Sequence, residues 1–282
     1  MVDKPTCPNS DNRGCRAEHV HSFDPHAWVC GKCLWVWPKV GDDYHPKTYL
    51  QVRRRRAGKR LKRHRLPYAP DAPSPTETIS FCCILRNRAM NFRRMIASLA
   101  ASMENEPFRH QLVVADYGSD DIDLDDELSV YSDRMDCRKV PVTGPFTWFR
   151  GRRIAAEASD RNIVFFIEAD MTVPAAFCSR IRKNVGGGRA YFPVCYCLHE
   201  GRSTVRGNSR KSNAANGWWY DCAYGLCGFM RRDYEHIGGW NGAFVRRGGG
   251  DNDIFFHAVR SLAVMRERCP GLLHHFHGKR VS

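Results

Sequence analysis

From Thr78 onward, short apolar runs rich in β-branched and aromatic residues alternate with segments of helical periodicity. The apolar runs are ISFCCIL, QLVVADYG and NIVFFIEAD, and the helical segments lie at about 91–103 and 152–158. Strands that alternate with helices pack as an α/β fold with a mainly parallel sheet. Such a sheet binds ligands beyond the carboxyl ends of its strands. Polar residues at those ends are therefore the first candidates for chemistry.

Charged residues follow each of these three runs. Arg86 and Arg88 come after the first, Asp116 lies at the end of the second, and Glu168 and Asp170 end the third. Two arginines can bind a diphosphate through their forked donors, and two carboxylates one residue apart can hold a divalent cation against it. The pattern predicts a nucleotide-diphosphate site.

Six motifs occur in a fixed order over about 200 residues. They are RNR at 86–88, DYGSD at 116–120, WFRGRR at 148–153, EAD at 168–170, IGGWNGAFVRRGGGDNDIFF at 237–256 and HHFHG at 274–278. The series resembles the GT-A glycosyltransferases of the family 2 type, and it is most similar to β-1,4-galactosyltransferases and chondroitin polymerases. The resemblance implies a GT-A fold with a mixed, mainly parallel sheet. It also implies that a sugar is transferred from a nucleotide-sugar donor, which is a UDP-sugar, and that Mn²⁺ or Mg²⁺ is the catalytic cation.

The same resemblance assigns roles to individual residues of the donor site. It implies that Arg86 and Arg88 contact the nucleotide, that Asp116 recognises the base or ribose, that Arg150 supports the donor site and that Asp170 ligates the metal.

Two positions depart from the pattern of these enzymes. Glu168 replaces the usual Asp of the donor site, which leaves open whether it contacts the ribose or the metal. Gly250 stands where relatives usually have an acid, which removes one expected acceptor contact.

Three glycines at 248–250 precede Asp251, which by position resembles the catalytic base. A sugar hydroxyl is a poor nucleophile at neutral pH, so a carboxylate must take its proton as the new bond forms. A cation that neutralises the departing diphosphate replaces a general acid. One displacement with inversion is expected. Asp253 either contacts the acceptor or caps the helix expected to begin near Ile254.

Three histidines at 274, 275 and 277 follow the apolar pair Leu272-Leu273. This pattern predicts a final strand whose end returns to the metal. We expect His277 to be a metal ligand, with His275 in reserve.

The aromatic residues Trp218, Trp219 and Tyr224 are expected to form the acceptor floor, because aromatic faces stack on sugars and on nucleobases alike. Packing in the core is the equal alternative. The sequence does not distinguish a sugar acceptor from a nucleobase.

Residues 1–40 contain four cysteines and three tryptophans with little periodicity, a composition that requires a metal to fold. Cys30 and Cys33 have the C-x-x-C spacing of a zinc knuckle. Cys7 and Cys15 complete a predicted structural Zn²⁺ site, although His19, His21 or His26 could take the place of Cys15. We interpret this segment as a small zinc-ribbon module.

Residues 41–76 form a basic arm followed by a proline-rich linker, which separates the ribbon from a catalytic domain at 77–282. Nine of the cations behind the net charge of +14 lie between Arg53 and Arg65. A segment this basic favours contact with nucleic acid. The cations are Arg53, Arg54, Arg55, Arg56, Lys59, Arg60, Lys62, Arg63 and Arg65.

This charge favours a hydroxymethylated base in phage-type DNA as the acceptor. The alternatives are a protein such as a virion component, a glycan, or a zinc-ribbon nucleic-acid binder without enzymatic activity. The amino-terminal residues lack a secretory signal, so we expect the protein in the cytoplasm, that of the host cell if a phage encodes it, and away from membranes. The sequence leaves the oligomeric state open.

Overall fold

The computed structural model describes residues 71–73, 75–200, 216–220, 223–242 and 249–277, together with the backbone of three strands among the first 40 residues. The strands are β1 Val20–Asp24, β2 Ala27–Cys30, β3 Val36–Pro38, β4 Ile79–Leu85, β5 Gln111–Asp116, β6 Asp136–Pro141, β7 Ile163–Phe166, β8 Met171–Thr172, β9 Arg189–Tyr191, β10 Val194–Leu198, β11 Gly217–Trp219, β12 Cys227–Met230, β13 Ala263–Met265 and β14 Arg268–His274. The helices are α1 Ala89–Ser102, α2 Leu124–Ser129, α3 Trp148–Glu157, α4 Phe177–Asn184, α5 Arg231–His236 and α6 Gly249–Ser261.

The central sheet has seven strands in the order β13-β9-β12-β7-β4-β5-β6. β4 pairs in parallel with β5 and β7, β5 with β6, and β9 with β13, while β12 is antiparallel to both neighbours. β4, β5 and β7 are buried along their whole length, which explains why each reads as a continuous apolar run. The mixed, mainly parallel sheet expected from the sequence is confirmed.

Two apolar layers cover the faces of this sheet. Neighbouring residues of a strand point to opposite faces, so Phe165 packs with α1 and α4 on one side while Phe166 packs with α3, α5 and α6 on the other. Both rings are fully buried. Within the described residues, no helix combines the length and apolar character needed to span a bilayer.

A second sheet has four strands in the order β11-β10-β14-β8. Trp218 pairs with Cys197, Cys197 with His274, and His274 with Met171, so these four residues form one row across the sheet. Residues paired in register point to the same face. This row brings the end of β14 to the start of β8, directly after Asp170.

The three strands near the amino terminus form a separate antiparallel sheet in the order β1-β2-β3. Cys30 ends β2, and the backbone of these strands is the part of the first 70 residues that the structure describes.

Candidate active site

The loops after β4 and β5 are tied to each other at the carboxyl edge of the central sheet. The backbone N–H of Asn87 donates to Ser119 Oγ at 3.1 Å, and that of Asp120 donates to Asn87 Oδ1 at 2.9 Å. Asn87 adopts a φ of 51° to make this turn. The buried Asp116 accepts the Ser119 hydroxyl at 2.7 Å. These contacts fix the loop of Arg86 and Arg88 beside Asp116.

Asp170 lies with two histidines at the adjoining edge of the small sheet. His277 Nε2 is 2.8 Å from Asp170 Oδ2, and His274 Nε2 is 3.6 Å from Asp170 Oδ1. One donor atom from each residue lies within 4.8 Å of the others, a spacing suited to a shared cation. Among the described residues, Asp170 Oδ1 is buried without a hydrogen-bond partner, and a bound cation would satisfy it. These residues fit a divalent metal.

Electrostatics keep the Asp170 carboxylate ionised. Burial by itself would raise its pKa, but the hydrogen bond with His277 and the charges of His274 and Arg88 outweigh burial, so that the pKa lies below its usual value. The charge of Arg88, in the loop after β4, therefore acts on this cluster. A buried carboxylate with two histidines beside it supplies the ligand types that divalent transition metals bind.

His275, the reserve ligand expected from the sequence, does not join this cluster. Its Nε2 pairs with the hydroxyl of Thr172, and its backbone N–H donates to the Asp170 carbonyl at 2.9 Å. Side chains alternate along a strand, so His274 and His275 point to opposite faces of the small sheet. His274, for which the sequence predicted no role as a ligand, takes the position beside Asp170.

A thiol lies directly behind His274. Burial would lower the pKa of His274, but hydrogen bonding to Cys197 and the charge of Asp170 raise it to about 9. The pKa of Cys197 falls to about 6, chiefly through its hydrogen bond with Cys195 and against the effect of burial, with His274 also lowering it. Cys197 is therefore the partner that orients the imidazole of His274.

Arg152 joins the two acidic parts of the site. Its Nη1 lies 2.6 Å from Asp251 Oδ1 and its Nη2 lies 2.8 Å from Glu168 Oε1. Arg152 is 2% exposed. Its guanidinium carbon lies 4.6 Å from the ring centroid of Trp240. Glu168 thus faces Arg152 and is not among the three residues grouped around the cation position.

Arg150, expected at the donor site, donates from Nη1 to the carbonyl of Thr143 at 2.7 Å. α3 begins at Trp148 rather than near Arg152. It is therefore Arg152 that lies on the buried face of this helix, two residues beyond the position taken from the motif.

Asp251 occupies the first turn of α6, which begins at Gly249 and not near Ile254. Its side chain is 26% exposed, in contrast to the nearly inaccessible Arg152 that it contacts. Asp251, Arg152 and Glu168 form one chain of charges that ends two residues before Asp170. The carboxylate expected to act as base and the carboxylate expected to hold the metal therefore belong to one connected site.

The expected acceptor residues separate into two groups. Trp218 is 48% exposed on the face of the small sheet that carries His274. Trp219 points to the opposite face, where its ring lies 5.3 Å from that of Tyr196. Tyr224 and Asp253 are buried, which for Tyr224 agrees with the alternative of packing in the core.

Tyr224 packs against a distant part of the chain, whereas Asp253 has a partner within its own helix. The ring of Tyr224 stacks on Phe255 with centroids 4.0 Å apart. Asp253 Oδ1 lies 3.3 Å from His257 Nε2, one turn further along α6. Tyr224 thus packs in the core, and Asp253 contacts a residue of its own helix.

The family model of the chondroitin N-acetylgalactosaminyltransferases matches residues 42–281, nearly the whole segment that contains this site. The chain belongs to this family.

Individual relatives of this chain are distant in sequence. Human chondroitin sulfate N-acetylgalactosaminyltransferase 2 is 27% identical over 156 residues, which are 51% of this chain and 29% of that protein. Mouse N-acetyl-beta-glucosaminyl-glycoprotein 4-beta-N-acetylgalactosaminyltransferase 1 is 25% identical over 209 residues, 72% of this chain and 19% of the other. The chain thus spans less than a third of the length of these two relatives.

Solved structures show the same fold. S. aureus TarS 1-349 in complex with UDP-GlcNAc superposes with a TM-score of 0.53 at 12% identity, covering 72% of this chain and 60% of TarS. The structure of S. aureus TarS 1-349 alone gives a TM-score of 0.52 at 10% identity, with 70% and 60% covered. The expected GT-A fold is confirmed for this family member.

Two predicted sites lie outside the described residues. The side chains of Cys7, Cys15, Cys30 and Cys33 are among them, and so is the basic segment from Arg53 to Arg65. The zinc module and the contact with nucleic acid therefore stay predictions.

Proposed function

We propose that this protein is a metal-dependent, inverting glycosyltransferase that moves a sugar from a UDP-sugar to a hydroxyl group of a carbohydrate acceptor. The observation that carries the proposal is the Arg152 bridge, because it links Asp251 to Glu168, two residues from Asp170. The names of the family and of its relatives support glycosyl transfer, and the UDP-GlcNAc bound to TarS supports a UDP-sugar donor.

The proposed reaction divides the work between the two ends of the site. Asp251 accepts the proton of the acceptor hydroxyl while the hydroxyl oxygen attacks the anomeric carbon of the donor sugar. The bond from that carbon to the diphosphate oxygen breaks, and UDP leaves. A cation held by Asp170, His274 and His277 would neutralise the charge that develops on the diphosphate.

Arg86, Arg88 and Asp116 are proposed to hold the nucleotide. They lie on neighbouring loops that are hydrogen-bonded to each other, and the charge of Arg88 reaches Asp170. An arginine side chain binds a diphosphate through two parallel N–H donors. The nucleotide would then lie across the carboxyl ends of β4 and β5, as expected for a parallel sheet.

Trp218 is proposed as the stacking surface for the acceptor. Two strand spacings, about 10 Å, separate its backbone from that of His274 in the same cross-strand row. A pyranose ring against this exposed indole would lie next to the sugar being transferred. The relatives, named for chondroitin and for an N-acetyl-beta-glucosaminyl glycoprotein, also favour a sugar acceptor.

A hydroxymethylated base in DNA is the second candidate acceptor, and one observation favours it. The segment from Arg53 to Arg65 contains nine Lys and Arg residues and no acidic residue. Transfer to DNA would lose efficiency steeply between low and moderate salt, because cations that bind phosphates release counterions.

One screen separates these candidates. The full chain with Mn²⁺ is incubated with UDP-linked N-acetylgalactosamine, N-acetylglucosamine, galactose or glucuronic acid. Each donor is paired with chondroitin oligosaccharides, p-nitrophenyl N-acetyl-β-glucosaminide, a glycoprotein, or hydroxymethylated and unmodified DNA, and products are read by mass. We expect transfer to a saccharide. Modification of DNA alone would overturn the carbohydrate acceptor, and no turnover of any donor would favour the non-enzymatic alternative.

The N-terminal module is proposed to bind one structural Zn²⁺ through Cys7, Cys15, Cys30 and Cys33, with a nearby histidine as the alternative to Cys15. The eight described cysteines are free thiols, which suits the reducing cytoplasm proposed as its compartment. Metal analysis of the purified full chain, with Cys30→Ser and Cys33→Ser as comparison, tests the site.

A further inference from the structure

The guanidinium of Arg152 is held in one orientation by contacts on several sides. Both terminal nitrogens are used, each on a different carboxylate, and the ring of Trp240 lies 4.6 Å from the guanidinium carbon. A carbon added at Gly225 would lie 2.6 Å from Arg152 Nη2 and 3.1 Å from Asp251 Oδ1. The backbone at Gly225, just before β12, therefore packs directly against this ion pair.

The two carboxylates that Arg152 joins come from distant parts of the chain. Glu168 follows β7, two residues before Asp170, whereas Asp251 lies in the first turn of α6. Without the guanidinium of Arg152 between them, the carboxylates of Glu168 and Asp251 would be two like charges at a mostly buried position, and such charges repel. The side chain with greater freedom, the partly exposed Asp251, would then turn away.

We propose that Arg152 is the positioning residue that aims the Asp251 carboxylate at the acceptor hydroxyl, with Glu168 as the anchor that fixes Arg152. This inference rests on the proposed function, in which Asp251 is the base. Arg152 takes no proton and touches no substrate in this role. It couples the acceptor side of the site to the strand end that carries the metal ligand.

The inference also explains why a glutamate suits position 168. Asp at this position would withdraw the carboxylate by one carbon–carbon bond, about 1.5 Å. The 2.8 Å contact with Arg152 Nη2 would then be lost. Lysine at position 152 would fail for a related reason, because a single ammonium lacks the planar fork that holds two carboxylates in fixed directions.

The test compares Arg152→Ala, Arg152→Lys, Glu168→Gln and Asp251→Asn with Arg153→Ala as a matched control. Arg153 is the next residue of α3, is 59% exposed and pairs with Glu157 on the surface. Turnover is measured with the best donor and acceptor of the screen, and the binding of UDP with Mn²⁺ by calorimetry. Circular dichroism and thermal unfolding establish that each variant is folded.

We expect Arg152→Ala and Arg152→Lys to lower kcat about 100-fold, the cost of displacing a reacting group by about 1 Å. UDP–Mn²⁺ affinity should stay within about 3-fold, since the metal ligands and the nucleotide loops are untouched. Added methylguanidinium should raise the kcat of Arg152→Ala by at least about 10-fold and leave the kcat of Arg153→Ala unchanged. Glu168→Gln, which keeps the size of the side chain, should show a smaller loss of the same kind.

The outcomes separate the inference from the proposed function. Full activity in Asp251→Asn would contradict the proposed base. An inactive Asp251→Asn together with wild-type kcat in Arg152→Lys would overturn the positioning role alone. Loss of UDP–Mn²⁺ binding in Arg152→Ala, with kcat unchanged at saturating donor, would assign Arg152 to the donor site and would equally overturn the inference. If Arg152→Ala does not fold, Arg152→Lys and Glu168→Gln still decide.

Discussion

Gly250 lies against the ring of Phe149, so closely that a side-chain carbon at position 250 would be 2.5 Å from both Cδ1 and Cε1 of that ring. Phe149 is 1% exposed and stacks on Trp240 with ring centroids 5.7 Å apart, so the ring has little room to move. The acid that the sequence resemblance implies at this position has no space here. The glycine and the phenylalanine therefore belong together as one feature of this chain.

Gly250→Ala should destabilise the fold by about 1–3 kcal/mol through overpacking against Phe149. The sign is informative, because replacing glycine by alanine inside a helix normally stabilises by about 0.5–1 kcal/mol. Urea unfolding measures the change. Gly242→Ala is the control, since a carbon there would meet its nearest neighbour only at 3.9 Å. A Gly250→Ala protein as stable as the wild type would show that Phe149 relaxes freely.

Substitution of His274 or His277 by Ala should weaken Mn²⁺ binding by more than about 100-fold, since even partners outside the ligand set cost 10–100-fold. His275→Asn should retain the affinity, because its ring faces Thr172 on the other side of the sheet. Two imidazoles with one carboxylate also favour Mn²⁺ over Mg²⁺. Calorimetric titration with each metal in the presence of UDP measures both effects. Equal losses in the His274 and His275 variants would contradict the assignment.

The sheet could be predicted from the sequence because its central strands are buried on both faces. Ile79–Leu85 was expected as a strand from its composition and has those bounds in the structure. The individual histidines and arginines were harder to assign. Choosing between His274 and His275 requires the parity of β14, and finding the role of Arg152 requires knowing which face of α3 is buried. An error of one residue in the phase of a strand changes which side chain points into the site.

Tyr224 illustrates a second limit of the sequence. Its burial comes from stacking on Phe255, thirty-one positions away, and no local pattern reveals that partner. Similarly, the connection between Glu168 and Asp251 depends on Arg152, which is 16 residues from one and 99 from the other. Motif order indicated that these residues belong to one reaction, whereas their contacts required the folded chain.

Trp218→Ala should raise the KM for the acceptor by about 2–10-fold, the equivalent of about 0.5–1.5 kcal/mol for a lost aromatic contact. The KM for the UDP-sugar and the unfolding free energy should change little, because Trp218 is 48% exposed. Trp219→Phe is the comparison: its ring packs with Tyr196 on the opposite face, so it should leave acceptor KM unchanged. The reverse pattern would place the acceptor on that opposite face.

The buried His110 should make the fold sensitive to acid. Its ring is fully buried and its Nδ1 accepts the backbone N–H of Ile79 at 3.2 Å. Burial, together with the charges of Arg182 and Arg161, lowers its pKa to about 4 from 6.5. Between these values the unfolded chain binds more protons than the folded chain, so stability rises with pH. The contribution of His110 is complete above pH 6.5 and is lost as the pH falls towards 4.

His110→Asn should remove this acid sensitivity while keeping an acceptor for the Ile79 N–H. Urea unfolding of both proteins at several pH values between 7.5 and 4.5 measures it. Over this range the wild type should lose about 2–3 kcal/mol more stability than the variant, as expected for a shift of this size. The pKa of His275 is also lowered to about 4, chiefly by burial, but it is present in both proteins and cancels in the difference. A difference between the two proteins that stays constant with pH would mean that the His110 ring takes up its proton equally in the folded and unfolded chains.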